Sequence, residues 1–168
     1  MNHPHTDHAP DHAPAKPLQW SDNHLLGLDA MDHCHQHFVA LLGQLQTAAD
    51  ADLPRLFPEL LAHLETHLGD EDRLMERTQF PPRQCHMDEH AAVLASAREV
   101  HARLGQGQFA LARRLVNELV RWFPKHTQHL DSALAHWVIK HRAGGKPVVL
   151  KRRVANATAA LAEGSSGV

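Results

Sequence analysis

Apolar residues recur at steps of three and four along four successive stretches of the chain, which is the spacing of one face of an α-helix. Met31, Phe38, Leu41 and Leu45 show this spacing in the first stretch, and Pro54 opens the second at a position that suits the first turn of a helix. No segment alternates convincingly with a period of two, so no β-strand is predicted. The predicted helices cover about residues 30–49, 54–77, 83–104 and 109–142.

Proline and glycine separate these stretches. Pro81 and Pro82 break the chain before the third helix, Gly105 follows it, and Gly144 follows the fourth. Long helices joined by short loops predict an all-α fold, an up-down-up-down antiparallel four-helix bundle, over residues 18–143.

The two ends of the chain differ in composition from this segment. Residues 1–17 contain four histidines and four prolines and include the tandem repeat DHAPDHAP. This composition cannot bury a core and predicts a disordered tail, with weak binding of divalent metal as the functional alternative. Residues 144–168 are predicted to form a C-terminal extension with the apolar pattern of a short helix.

Composition narrows the class of protein. The chain has 168 residues, 43% of them hydrophobic, and a formal net charge of −2, which suits one globular domain and disfavours nucleic-acid binding through bulk charge. Its two cysteines cannot form a disulfide framework, and no apolar run is long enough to span a membrane. We therefore expect a cytoplasmic protein without membrane or nucleic-acid partners. Its 17 histidines equal lysine and arginine together and require a chemical explanation.

Histidines and carboxylates occupy chelating positions on all four predicted helices. A step of four residues places two side chains on one helix face, and the second and third helices each carry such a pair. Five imidazoles and two carboxylates exceed what one transition-metal ion can use, which predicts two metal ions bridged by the carboxylates. The candidate ligands are His35, His67, Glu71, His86, His90, His126 and Asp131.

Any one of these histidines, taken alone, is more often an exposed or hydrogen-bonded residue than a metal ligand. We call such histidines the ordinary class. Spacing alone would add His63, four residues before His67, either as a neighbour that tunes His67 or as an ordinary residue. Cys34 and Cys85 each precede a candidate ligand, and core filling is preferred for both over redox or nitric-oxide sensing. The histidines assigned to the ordinary class are His24, His33, His37, His101, His129, His136 and His141.

An ordered set of motifs spans about residues 20–140 and resembles the hemerythrins, in particular bacterial hemerythrin-like proteins. The motifs are Trp20, Gly27, Met31-Asp32-x2-His35-x2-Phe38-Val39, His67-x3-Glu71-x2-Leu74-Met75, Phe80-Pro81, His86-x3-His90 and Trp122-x3-His126-x4-Asp131. The resemblance implies a non-haem di-iron centre in the bundle core. It also favours His35 over His33 and His37 on the first helix.

The resemblance further implies a role for each ligand. His86, His90 and His126 would hold an iron that is coordinatively full. His35 and His67 would hold a second iron that keeps one position open.

Glu71 and Asp131 would bridge the two irons together with a solvent-derived oxygen. Asp131 follows His126 by five residues, a step that rotates about 140° around an ideal helix, so the two side chains would not share a face. Pro124 removes a backbone hydrogen bond, and we expect a kink or local bulge near it that re-aims the following turn.

The ligand set favours binding of O2 over cleavage of its bond. Imidazoles dominate, and the Glu-x2-His motif of oxygen-activating ferritin-like proteins does not occur. Leu68, Trp122 and Phe123 are expected to line an apolar O2 pocket, whereas Thr127 would add a polar group if it faced the pocket. We expect a protein that stores, delivers or senses O2 and is not an enzyme. The alternatives are a di-iron redox enzyme acting on peroxide or nitric oxide, and an oxygen- or iron-responsive regulatory module.

Overall fold

The structure, a computed structural model, describes residues 16–144. The predicted tail at 1–17 and extension at 144–168 lie almost entirely outside the described residues. Within residues 16–144 every regular element is helical, which confirms the predicted all-α class. None of the helices described is both long and apolar enough to cross a lipid bilayer.

Four long helical segments form the bundle. Each segment packs against the one before it and the one after it in the chain, and the fourth also packs against the first. This arrangement confirms the predicted four-helix bundle. The first three agree with the predicted bounds within two residues. The elements are α1 (Asp29–Thr47), α2 (Leu53–Thr78), α3 (Arg83–Leu104), α4 (Phe109–His126), a π-helical turn (Thr127–Asp131) and α5 (Ser132–Arg142).

A buried carboxylate organises the start of α1. Asp32 is 8% exposed and accepts hydrogen bonds from the backbone N–H of Leu26 at 2.7 Å and of Gly27 at 3.1 Å. Gly27 has φ of 81°, a left-handed conformation that glycine adopts without steric cost. Asp32 therefore folds the preceding loop onto the first turn of α1.

The end of α2 is tied to α5. Gln79 adopts φ of 52° and ends the helix, and the backbone N–H of Phe80 returns to the carbonyl of Met75 at 2.9 Å. The indole N–H of Trp137 donates to the carbonyl of Thr78 at 3.1 Å. These bonds satisfy carbonyls at the helix end and fix α5 beside α2.

The core contains two apolar clusters with a buried polar layer between them. The larger cluster includes Phe38, Leu68 and Phe123, and the smaller one includes Met31 and Met75. Along both α1 and α2 the candidate ligands lie between residues of the two clusters. A polar layer inside an apolar bundle is costly unless its charges are compensated.

Candidate metal centre

All seven side chains singled out from the sequence meet in the polar layer. Four of them have no exposed surface, and the most exposed, His67, is 7% exposed. They come from every long helix of the bundle and from the π-helical turn. We call this set the ligand cluster: His35, His67, Glu71, His86, His90, His126 and Asp131.

Three histidines on α3 and α4 point their Nε2 atoms at one another. His126 Nε2 lies 3.2 Å from His86 Nε2 and 3.2 Å from His90 Nε2. Imidazole nitrogens bound to one tetrahedral zinc ion at about 2.0–2.1 Å are separated by about 3.3 Å. The step of four residues on α3 supplies two of these rings, and α4 supplies the third across the bundle. We call these three residues the three-histidine set.

Glu71 directs one carboxylate oxygen to each side of the cluster. Its Oε1 lies 3.8 Å from His35 Nε2 and 3.7 Å from His67 Nε2. Its Oε2 lies 3.5 Å from His90 Nε2 and 4.0 Å from His86 Nε2. The carboxylate of Glu71 therefore stands between the three-histidine set and the pair His35 and His67, which we call the two-histidine set.

Asp131 divides its oxygens in the same way. Its Oδ1 lies 3.1 Å from the Nε2 atoms of both His86 and His126, and its Oδ2 lies 3.3 Å from His35 Nε2. Five members of the ligand cluster surround one point, and His35, His67 and Glu71 surround a second.

Many polar atoms of the cluster have no hydrogen-bond partner among the described residues. These atoms are both oxygens of Glu71 and of Asp131, both ring nitrogens of His35, and Nδ1 of His86. A buried polar atom left unpaired costs about 1–3 kcal/mol. The short contacts to Asp131 bring lone pairs together without hydrogen-bond angles, which is how ligands face a cation. Imidazole and carboxylate donors suit first-row transition metals, so these residues fit metal ions.

Two carboxylates outside the cluster hold the outer nitrogens of its histidines. Asp72 Oδ1 lies 2.7 Å from His90 Nδ1, and Glu89 Oε1 lies 3.1 Å from His126 Nδ1 and also accepts the indole N–H of Trp122. Such pairs keep the proton on Nδ1, so the Nε2 lone pair faces the cluster. Neither carboxylate was predicted from the sequence, although each is adjacent to a candidate ligand.

The step of five between His126 and Asp131 is accommodated by the backbone. Residues Thr127–Asp131 form a π-helical turn, whose i→i+5 bonding places residues five apart on nearly the same face. The expected local bulge is thus confirmed, and it begins three residues after Pro124, which lies inside α4. The turn brings Asp131 into contact with His126.

The residues expected to line a pocket differ in their surroundings. Phe123 is 2% exposed and packs its ring 5.2 Å from the ring of His35, and Leu68 is also buried in the larger cluster. Trp122 is half-buried and packs 4.2 Å from the ring of His126. Thr127 is buried, and its hydroxyl meets no hydrogen-bond partner in the described part of the chain.

Burial and neighbouring charges shift the pKa values of several groups in the cluster. Burial, reinforced by neighbouring imidazoles, lowers the pKa of His67 to about 3 and that of His90 to about 3, so both rings are neutral at pH 7, as metal ligation requires. Burial and the charge of Asp131 raise the pKa of Glu71 well above its usual value. Burial alone would raise the pKa of Asp131, but contacts from surrounding histidines hold it well below. Without metal, the pKa values of the two carboxyl groups are therefore shifted in opposite directions, that of Glu71 towards the protonated form and that of Asp131 towards the ionised form.

His63 lies outside the ligand cluster. Its Nδ1 is 3.2 Å from Nδ1 of His37, and its ring packs 5.6 Å from that of His67. His33 and His136, assigned to the ordinary class, are exposed, and each donates from Nδ1 to the carbonyl four residues earlier at 2.8 Å.

The two cysteines have different environments. Cys34 is half-buried, and burial raises the pKa of its thiol. Cys85 is exposed, so the expectation that it fills the core is wrong. Adjacent residues on a helix point about 100° apart, and Cys85 faces outwards because His86 faces the cluster.

Comparisons with known proteins give one consistent result. A family model described as the hemerythrin HHE cation binding domain matches residues 26–138. A bacteriohemerythrin from Ralstonia nicotianae is 40% identical over 121 residues, which cover 72% of this chain and 88% of the relative. A bacteriohemerythrin from Stenotrophomonas maltophilia is 26% identical over 128 residues, covering 74% of this chain and 83% of the relative. No solved structure matches at a significant level.

Proposed function

We propose that this chain, which belongs to the bacterial hemerythrin family, holds two iron ions in the ligand cluster and binds O2 reversibly. The observation that carries the proposal is the orientation of the two carboxylates. Glu71 and Asp131 each present one oxygen to the three-histidine set and the other to the two-histidine set. Such an arrangement suits two metal ions bridged by carboxylates.

The donors are divided unequally between the two positions. With one oxygen from each carboxylate, the three-histidine set has five protein donors around its position and the two-histidine set has four. The position at His35 and His67 therefore has more room for an added ligand. Ferrous ions, one in each of the two positions, would supply one electron each when O2 binds and would recover them when O2 leaves. This division supports the expected roles of the histidines, with the open position on the side of His67.

The surrounding residues suit retention of O2 without turnover. Phe123 packs on His35, and Leu68 is buried in the apolar cluster next to the polar layer, so both help to exclude water from the two-histidine side. Imidazoles outnumber carboxylates five to two in the cluster. An imidazole ligand carries no negative charge, so such a site stabilises highly oxidised iron less than a carboxylate-rich site does. We propose storage, delivery or sensing of O2 as the role, and no enzymatic step.

Anaerobic loading tests this function directly. The chain without metal is loaded with ferrous iron under nitrogen, iron per chain is measured, and the visible absorption spectrum is followed as O2 is admitted and then removed by evacuation. We expect two irons per chain and an absorption that appears with O2 and disappears on evacuation. Irreversible oxidation with consumption of peroxide would instead identify an enzyme, and one iron or none per chain would defeat the two-metal assignment.

Glu71→Gln and His136→Ala form a matched pair for this experiment. The first substitution keeps the shape of a side chain in the ligand cluster but removes its charge, and we expect it to lower iron content and abolish the reversible absorption. The second removes an exposed histidine bonded to its own helix, and it should leave both measurements unchanged.

A further inference from the structure

Two histidines outside the ligand cluster face each other across the surface between α1 and α2. His37 Nδ1 and His63 Nδ1 form a hydrogen bond at 3.2 Å, and the ring centroids are 4.9 Å apart. A metal ion bound to both nitrogens would displace the proton that they share. The distance between the two Nδ1 atoms equals that between the Nε2 atoms within the three-histidine set. The side chain of His37 is 55% exposed, whereas His63 is half-buried beneath it. Two imidazole nitrogens at this distance can bind one metal ion together.

The environment orients both rings for such binding. Phe38 stacks on the ring of His63 with centroids 5.8 Å apart and planes 15° apart, which limits rotation of the ring. Nε2 of His63 is buried and meets no hydrogen-bond partner among residues 16–144, so the Nδ1 edge is the one that can take a partner. Glu59, one turn before His63 on α2, has its Oε1 4.0 Å from Nε2 of His37. A carboxylate there favours the tautomer of His37 with its proton on Nε2, which leaves Nδ1 free for a metal.

The pair lies at the outer end of a row of histidine rings that reaches the ligand cluster. The ring of His63 is 5.6 Å from that of His67, and the ring of His67 is 5.0 Å from that of His35. Exposure falls along this line from 55% at the side chain of His37 to 7% at His67 and 0% at His35. His67 is the member of the ligand cluster nearest to solvent, and His63 lies against it.

We propose that His37 and His63 form a separate divalent-metal site between α1 and α2, and that ferrous iron binds there before it passes to His67. Glu59 acts as the outer partner of His37 and not as a ligand. Two imidazoles leave the other coordination positions to water, so binding is weak enough to release the ion. The transfer step rests on the proposed di-iron function, whereas binding at the pair does not.

Binding at the pair is tested with zinc alone. Equilibrium dialysis of the full chain without metal across a series of Zn²⁺ concentrations should show one fewer ion per chain for His37→Ala and for His63→Ala than for the unmodified chain. His33→Ala is the matched control, because His33 is an exposed histidine on the same helix that bonds to its own backbone. Equal zinc stoichiometry in all four proteins would overturn the site.

The transfer step is tested by the rate of iron loading. We expect His37→Ala to take up ferrous iron severalfold more slowly than the unmodified chain while reaching the same final content, and His33→Ala to load at the unmodified rate. An unchanged rate in His37→Ala, with two irons bound, would show that iron does not pass through the pair. Failure of the unmodified chain to bind two irons would instead contradict the proposed function, whatever zinc does at the pair.

Discussion

One helical turn separates a histidine that reaches the ligand cluster from one that does not. His67 Nε2 lies 3.7 Å from Glu71, whereas Nδ1 of His63 turns outwards to His37. The α2 backbone continues through both residues, so the difference lies in the direction of the side chains and in what packs on them. Phe38 covers the ring of His63 on the side of the larger apolar cluster.

Iron content should therefore distinguish these two histidines. We expect His67→Ala to lose one of the two irons, because the two-histidine set then keeps a single imidazole. His63→Ala should retain both irons at equilibrium, since it removes no member of the ligand cluster. Iron per chain is measured after anaerobic loading and removal of free metal. Equal loss in the two variants would mean that the ligand assignment on α2 is wrong.

Two carboxylates outside the ligand cluster contact histidines of the three-histidine set. Asp72 and Glu89 hold the rings of His90 and His126, both in the three-histidine set. Nδ1 of His35, on the other side, has no hydrogen-bond partner in the described chain. Two of the three rings in the three-histidine set are thus held from outside the cluster, whereas Nδ1 of the third, His86, also has no hydrogen-bond partner among the described residues. The two-histidine side lies nearer to solvent through His67.

At the scale of the element, the π-helical turn decides whether Asp131 lies beside His126. Thr127–Asp131 contains five residues, and its bonding places Asp131 beside His126 with Oδ1 and Nε2 3.1 Å apart. A regular α-helix would rotate Asp131 about 140° from His126. π-helical turns occur often at functional sites, and here the turn supplies a carboxylate to the ligand cluster.

Insertion of one alanine between Gln128 and the exposed His129 should disrupt this arrangement. The insertion lengthens the step from His126 to Asp131 to six residues, which rotates about 240° around an α-helix and exceeds the i→i+5 spacing of the π-helical turn, so the carboxylate leaves the face of His126. We expect helical content by circular dichroism to be largely kept and iron content to fall. His129→Ala is the control and should bind iron normally. Asp131→Asn, which leaves α5 in place, should lower iron content as well; full iron content in both the insertion variant and Asp131→Asn would rule out a role for the turn.

At the scale of the whole molecule, the ligand cluster interrupts the core. Some of its buried groups have different pKa values in the folded and the unfolded chain. The free energy of unfolding of the chain without metal therefore depends on pH. The folded chain holds the pKa of His67 and His90 at about 3 and that of His63 at about 4, mainly because of burial, whereas an unfolded histidine titrates at about 6.5. At a pH between the folded and the unfolded pKa values, these histidines bind more protons in the unfolded chain than in the folded chain. Lowering the pH in this interval therefore favours unfolding.

The urea midpoint of the chain without metal should therefore fall as pH is lowered from about 6.5 towards 4. Glu71 acts in the opposite direction, because its raised pKa favours the folded chain as it takes up a proton. Asp72, whose pKa is raised by burial, and His126, whose pKa burial would lower but Asp131 and Glu89 raise, act in the same direction as Glu71. We expect the three histidines, whose pKa values burial lowers to about 3 or 4, to outweigh these groups. His63→Phe should show a smaller dependence on pH than the unmodified chain. A midpoint that stays constant or rises on acidification would contradict this account of the buried histidines.

The sequence by itself determined the helices and the identity of the residues that meet in the core. The period of apolar residues and the positions of proline and glycine predicted α1, α2 and α3 within two residues, because helical periodicity and helix ends are local properties. The same periodicity placed His86 and His90 on one face. Similarity to a family, and not spacing, selected His35 among its neighbours.

Only the tertiary structure decided how these faces are turned towards one another. The contacts of Asp72 with His90, of Glu89 with His126 and of His37 with His63 join residues 18, 37 and 26 positions apart. Each contact depends on how one helix is rotated against its neighbour, which sequence spacing does not specify. The exposure of Cys85, in contrast, follows from a local property, because its neighbour His86 faces the cluster. Local periodicity fixed which residues face inwards, and packing between helices fixed which of them meet.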